Sequence, residues 1–337
     1  MQLLQNKVKE KKTIILVSLS VGILLMLMKF LAYFITNSNA ILTDAAESIV
    51  NVIASSFAFF SIYFASLPKD QNHPYGHGKV EFFSAFLEGS LIILAGIVIL
   101  AKTTYNIFYP APIKDLIDGA LLIGITGVIN GALGWYMINK GKKLNSLTII
   151  ADGKHLGTDA VSSFGLIVGL LLIYITEIYW LDSLISCLLA FYIIYHGYKL
   201  TRTSVGGLMD ESDLELVEKV VEHFNSHRHD AWIDVHNLRV QRYGDTYHVD
   251  CHVTLPYYYD LVKVHYEVSE VDKAMNSNAM NTEVFVHADP CLPECCHYCS
   301  VQNCPVRSEP QTVKIEWNAD NITQNKKHFE QYRDGRI

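Results

Sequence analysis

Six apolar runs, at roughly 13–36, 40–66, 81–108, 116–138, 147–175 and 178–199, fill the first 200 residues of this chain. Each is long enough to cross a bilayer as a helix, which takes about 20 apolar residues. Inside hydrocarbon every backbone N–H and C=O needs a partner within the chain, so runs of this kind become helices. From about residue 208 the composition turns to that of an ordinary soluble domain. The 50% hydrophobic content of the 337 residues therefore averages two unlike halves. The fold class expected is a membrane all-α six-helix transmembrane bundle followed by a smaller α+β domain.

The lysines orient the runs. Lys7, Lys9, Lys11 and Lys12 precede the first; Lys69 and Lys79 lie between the second and third. Lys140, Lys142 and Lys143 lie between the fourth and fifth, and Lys199 and Arg202 follow the sixth. The opposite loops carry only Lys114. Positive charge stays on the cytoplasmic side, so both termini are expected there, in a multi-pass protein of a bacterial inner membrane. Residues 1–12 read as a basic lead rather than a signal peptide, because no small-x-small cleavage pattern precedes the first run.

Past the sixth run, Leu214, Val217, Val220, Val221 and Phe224 share one stripe and predict a helix over 211–227. Residues 232–243 and 247–256 alternate as two strands around a Gly244-Asp245 turn. A helix over 261–275 and a strand over 282–287 complete an αββαβ order, a small sheet with helices on one face. The domains expected are 13–205 in the membrane, 206–290 folded outside it, 291–305 rich in cysteine, and 306–337 polar and poorly ordered.

Ionisable residues inside the apolar runs carry the functional signal. One at bilayer depth costs at least about 2.5–3.5 kcal/mol and normally serves a function. Glu47-xxx-Asn51 in the second run and His155-xxx-Asp159 in the fifth share an i, i+4 spacing, which puts both members of a pair on one helix face. Facing each other, they offer two carboxylates, an imidazole and an amide oxygen, enough for one divalent cation. The competing reading is helix-to-helix hydrogen bonding without metal. Three further groups have ligand chemistry. Asp70, His73 and His77 crowd the loop between the second and third runs, where a polar loop is the plainer alternative. His236, His252, His265, His287 and Asp289 fall on the predicted strands and helix, and converge only if that fold is right. Cys291, Cys295, Cys296, Cys299 and Cys304 hold five of the seven cysteines within 14 residues, dense enough for a soft-metal clip. The alternative there is a flexible thiol tail.

The segments ILTDAAESIVN, DQNHPYGHGKVE, ADGKHLGTDAVSS and VHADP together resemble the cation diffusion facilitator family over about 13–290. The resemblance implies a homodimer of six-helix protomers with ferredoxin-like cytoplasmic domains, exporting divalent metal against inward proton flow. It implies a transport site at Glu47, Asn51, His155 and Asp159, a loop site at Asp70, His73 and His77, and a dimer-bridging site at His236, His252, His265, His287 and Asp289. It also implies that Lys79 and Asp210 form a charge pair. It gives the cysteines no role. Relatives usually carry Asp or His at the first motif position and Asp at the second; this chain has Glu and Asn. Zinc is the expected substrate, with manganese, iron, cobalt and cadmium as alternatives. Partners expected are a second copy, the bilayer, metal ions and protons, not nucleic acid, and no catalytic cofactor or enzymatic activity is expected. An intramembrane hydrolase would need a motif such as His-Glu-x-x-His, which no run contains. A metal sensor without transport is the remaining alternative.

Overall fold

The computed structural model describes residues 2–36, 39–108, 116–176, 180–244, 246–276 and 281–333. The chain divides into two compact parts, Met1–Met209 and Asp210–Ile337.

The first part consists of helices α1 (Gln2–Thr36), α2 (Asn39–Ala65), α3 (Val80–Phe108), α4 (Leu116–Lys143), α5 (Leu147–Thr176) and α6 (Trp180–Leu208). Among the described residues, 6–31, 80–105 and 184–208 are long and apolar enough to cross a membrane, and 51–65 is a shorter apolar stretch. Side chains such as Leu31, Phe191 and Tyr195 are exposed on the helix surfaces, as expected of a part whose solvent is lipid.

Pairing of these helices follows from small residues. α3 packs chiefly on α6, α4 on α5, and α1 on α2. A Cβ on Gly134 of α4 would come within 2.7 Å of the Gly153 carbonyl oxygen of α5. One on Gly197 of α6 would stand 2.9 Å from the Gly89 oxygen of α3. In a bilayer the hydrophobic effect does not drive helices together, so close backbone approach at small residues does. Polar clasps add to it. Lys11 of α1 meets Glu81 of α3 at 3.0 Å, and Ser146, just before α5, donates to the other Glu81 oxygen at 2.6 Å. Ser18 of α1 and Ser55 of α2 donate to the two oxygens of buried Asp152 on α5, at 2.9 and 3.0 Å.

The second part begins with α7 (Leu214–Ser226), whose first turn is capped by the Asp213 side chain accepting from the Leu216 N–H. Its stripe of Leu216, Val217, Val220, Val221 and Phe224 is buried. Strands β1 (Asp234–Tyr243), β2 (Thr246–Leu255) and β3 (Thr282–Pro290) form a three-stranded sheet in that order, with α8 (Leu261–Asn276) between β2 and β3. β1 and β2 are antiparallel and β2 and β3 parallel, so the sheet is mixed. Between His236 and Arg239 the register slips in a bulge, where Asn237 takes φ 51° and its N–H donates to the Gln324 oxygen at 2.7 Å.

Two expectations fail: Leu214, expected on the apolar stripe of α7, is exposed at its first turn while Leu216 is buried, and the described part of the C-terminal stretch is ordered. Residues 306–337 were expected to be polar and poorly ordered, yet the described part of this stretch folds back on the domain. Helices α9 (Ala319–Ile322) and α10 (His328–Arg333) form there, and Ile315, Trp317 and Ile322 join the core around Phe224 and Trp232. The Trp317 ring lies edge-on to Phe224 at 6.3 Å, with the Arg228 guanidinium over it at 3.8 Å. Composition misleads here because a few large apolar side chains, spaced without period, bury enough area to order the polar residues between them.

Candidate metal centres

The helix site is built where α2 faces α5. Asn51 stands between the two α5 residues: its Oδ1 lies 3.0 Å from His155 Nε2, and its Nδ2 donates to Asp159 Oδ2 at 3.0 Å. His155 Nε2 and Asp159 Oδ2 are 3.8 Å apart. Three of the four residues singled out by the i, i+4 spacing are thus in mutual contact across two helices. The side chain of the fourth, Glu47, lies outside the described residues.

A further residue had not been singled out. Glu88 of α3 is buried, its Oε2 is 3.6 Å from His155 Nδ1, and neither carboxylate oxygen has a hydrogen-bond partner among the described residues. Buried polar groups without partners are uncommon and need a reason. Glu88 is the one acid within 82–108. With Ser84 and Ile92 at i−4 and i+4, it has no ligand-type partner at helical spacing to mark it.

The loop group is compact. Asp70 Oδ1 lies 3.0 Å from His73 Nδ1, and Asp70 Oδ2 lies 3.3 Å from His77 Nε2. Asp70 also accepts from the Asn72 and His73 backbone N–H groups, at 2.9 and 2.7 Å. Desolvation raises its carboxyl, but the bonds and charge from His73 and the Asn72 N–H together outweigh this and hold it below the ordinary carboxylate range. Gly76, at φ +91°, makes the turn that brings His77 back beside Asp70, and the Phe64 ring packs edge-on against His77 at 4.7 Å.

The sheet group follows from register. His236, His252 and His287 are direct partners across β1, β2 and β3, so all three project from one face. Their rings lie 5.1 and 4.6 Å apart along the row. Asp289, two residues beyond His287 and so on the same face, reaches all three. Its Oδ2 is 3.3 Å from His236 Nε2 and 3.4 Å from His252 Nδ1, and its Oδ1 is 3.4 Å from His287 Nε2. Ligand atoms of His236, His252 and Asp289 all lie within 4.8 Å of one another, as do those of Asp70, His73 and His77. His265 differs: it is exposed on α8 and is not among the converging atoms.

Support for this group comes from the C-terminal stretch. Lys327 Nζ lies 3.9 Å from Asp289 Oδ2. Buried Asp234 stands 3.5 Å from His236 Nδ1, and accepts from His328 Nδ1 at 2.7 Å, the His328 N–H at 2.9 Å and the Tyr298 hydroxyl at 2.9 Å. Burial alone would raise the Asp234 carboxyl, but the bonds and charge of His236 and His328 prevail and hold it well below the usual range. A carboxylate behind a ligand imidazole fixes its ring and tautomer. Sequence reasoning had no periodic signal with which to find Asp234, Lys327 or His328.

The chain is similar to known proteins along most of its length. A family profile described as the cation efflux transmembrane domain matches residues 15–209, and one described as the cation efflux protein cytoplasmic domain matches 212–291. An uncharacterized transporter of Synechocystis is 31% identical over 274 residues, covering 81% of this chain and 88% of that protein. The cation-efflux pump FieF of Shewanella oneidensis is 24% identical, over 81% of this chain and 92% of its own length. The manganese efflux system protein MneP of Bacillus subtilis is 26% identical, over 84% and 97%. With its apolar helices, its mixed-sheet domain and these matches along most of its length, the chain is an integral membrane protein of the cation efflux, or cation diffusion facilitator, family.

Proposed function

We propose that this protein exports a divalent transition-metal cation across the bacterial inner membrane by alternating access, in exchange for protons. It works as a homodimer of six-span protomers with both termini in the cytoplasm and a ferredoxin-like cytoplasmic domain. The observation that carries this reading is the meeting of Asn51, His155 and Asp159 between α2 and α5. Glu47, one turn before Asn51, completes the set. With Glu47 and Asp159 ionised and His155 neutral, a divalent ion is charge-neutralised. An imidazole with oxygen donors suits zinc, and admits manganese, iron, cobalt and cadmium.

Proton coupling follows from the ligands. Each must be unprotonated at the atom that binds, so metal and protons compete for the same groups. His155 binds through Nε2, which leaves its Nδ1 proton directed at Glu88. Glu88 then acts as a positioning residue while metal is bound, and stabilises the doubly protonated imidazole on the return. Asn51 gives up two hydrogen bonds when the ion arrives and regains them when it leaves. His155 Nε2 and Asp159 Oδ2 thus keep a partner in a low-dielectric interior when the ion is absent.

The sheet group and the loop group are regulatory or accessory sites in this reading. The sheet group bridges two copies, with His287 and the exposed His265 available to a partner.

The deciding experiment is metal uptake into proteoliposomes under an imposed pH gradient, for zinc, manganese, iron, cobalt and cadmium. Metal movement should dissipate the gradient. Glu88→Gln should flatten the pH dependence of transport more than it lowers the affinity for metal. Metal that moves while the gradient stands removes proton coupling. Metal bound by the sheet group with no movement for any ion would make the protein a sensor.

A further inference from the structure

We propose that Cys291, Cys296, Cys299 and Cys304 form a four-thiolate cradle for an iron–sulfur cluster. This centre is distinct from the helix, loop and sheet groups and does not depend on which metal is transported. The five clustered cysteines are not equivalent in the structure. All line one cleft of about 100 Å³, together with apolar groups such as Ile233 and Val301. Cys295, however, is 1% exposed, the least accessible of the five. Its close polar neighbours are the Tyr298 hydroxyl and Asp234, not other thiols.

The remaining four line the same cleft as the Arg307 guanidinium. The Tyr257 N–H donates to Cys291 Sγ at 3.4 Å. A backbone N–H aimed at sulfur, beside a guanidinium, is what a cluster of thiolates with net negative charge needs around it.

The segment is held in place before any metal arrives. The Cys291 N–H donates to the Leu255 oxygen at 2.9 Å, fixing it to the end of β2. A 3-10 turn over Pro293–His297 presents Cys296. Arg307 donates to the Cys296 and Cys299 oxygens at 3.1 Å each and to the Val301 oxygen at 2.5 Å, which closes the loop around the cleft.

Two observations favour a cluster over a single zinc ion. Zinc–sulfur bonds of about 2.3 Å in a tetrahedron would hold the four sulfurs about 3.8 Å apart. Among the described residues no three of these thiols come within 4.8 Å of one another, whereas the loop and sheet groups do. Bridging iron and sulfide atoms set terminal thiolates wider. The spacing agrees: Cys291-x4-Cys296-x2-Cys299 is the run that binds plant-type ferredoxin clusters, and Cys304 is followed by Pro305, as the last cysteine is in bacterial ferredoxins. On binding, each thiol gives its proton to solvent and its sulfur to iron; the cluster is structural and no electron transfer is invoked.

The test uses the full chain in detergent under anaerobic conditions, incubated with ferric iron, sulfide and a thiol reductant and then desalted. Iron and acid-labile sulfide should be retained in equal amounts, with the broad visible absorption of sulfide-to-iron charge transfer. Cys296→Ser and Cys304→Ser should lose both, while Cys295→Ala and Cys187→Ala keep them. A readout without variants guards against misfolding: in the loaded wild-type protein, alkylation at 291, 296, 299 and 304 should be blocked, and restored when the cluster is destroyed. Zinc retained with no sulfide, a cluster that survives Cys296→Ser and Cys304→Ser, or four thiols that alkylate equally fast before and after loading would each overturn the proposal.

Discussion

The helix group and the sheet group use the same chemistry, imidazole with carboxylate, and arrange it in opposite ways. In the helices the residues come from α2 and α5, two separate rods joined at this point by hydrogen bonds that Asn51 makes to His155 and Asp159. In the sheet the three histidines occupy one row of paired positions, and moving any of them means breaking the ladder. Asp234 and His328 fix the row from behind. Packed helices can slide or tilt at small cost, whereas a hydrogen-bonded register cannot. A site that must open to alternate sides belongs on the first kind of scaffold. A site that must report or hold metal belongs on the second.

The largest expected effect breaks the helix side of this comparison. Asp159→Ala removes a charged group from the proposed transport site, and no other carboxylate in the described part of α5 touches Asn51. Transport should fall to background while the chain stays folded and metal still binds the sheet group. Wild-type uptake by the variant would move the transport site elsewhere.

Next is the scaffold of the sheet side. Trp317→Ala removes a buried indole packed between the Phe224 ring and the Arg228 guanidinium, at a cost of about 3–5 kcal/mol. Hydrogen exchange should accelerate through β1 and β3 and leave α2 and α5 unchanged. Because Lys327 and His328 lie in the same C-terminal stretch, loosening it should also weaken metal binding at Asp289. Unchanged exchange in β1 would mean that this stretch only decorates the domain.

These outcomes bear on how much the sequence could reveal. The meeting of Asn51 with His155 and Asp159 was legible because four residues make one turn and apolar surroundings make polar groups conspicuous. The row of histidines was legible only in part. Alternation assigns residues to strands, but the bulge at Asn237 and the parallel β3 decide who faces whom. His265 shows the limit: a helix between two strands can turn either face to the sheet, and here this residue is exposed. Glu88 was hidden for a different reason, having no partner at helical spacing. The C-terminal stretch was misjudged because burial of Ile315, Trp317 and Ile322 depends on the shape of a core that no local window contains.

A smaller effect separates holding from moving. Metal at a hundredfold excess over Kd should stabilise the sheet domain by about 2.7 kcal/mol, read as resistance to unfolding in the full chain. His252→Ala should lose most of that and only part of the transport. Burial first, then His236 and His287, lower the His252 pKa below the ordinary histidine value, against the pull of Asp289. In the window between that depressed value and the unfolded one, the unfolded chain holds a proton that the fold does not. Stability therefore rises with pH across the window and is lost as pH falls through it. Metal-dependent stabilisation should accordingly persist into mildly acid buffer and fade below the usual histidine range. Equal loss of transport and of stabilisation in His252→Ala would mean that the two sites do not divide the work.

The subtlest change tests what the amide of Asn51 contributes. Asn51→Asp keeps the shape and adds one negative charge between His155 and Asp159. The Nδ2 bond to Asp159 is lost, so two carboxylates now stand about as close as the 3.0 Å of that bond. Like charges at such a distance do not both ionise readily, and one proton is retained until metal displaces it. Metal should then bind more tightly and hold on to lower pH, while release slows and turnover falls. Affinity and rate moving in opposite directions is what a ligand role for residue 51 requires. If neither the affinity for metal nor its pH profile shifts, Asn51 only ties α2 to α5, and the transport ligands reduce to Glu47, His155 and Asp159.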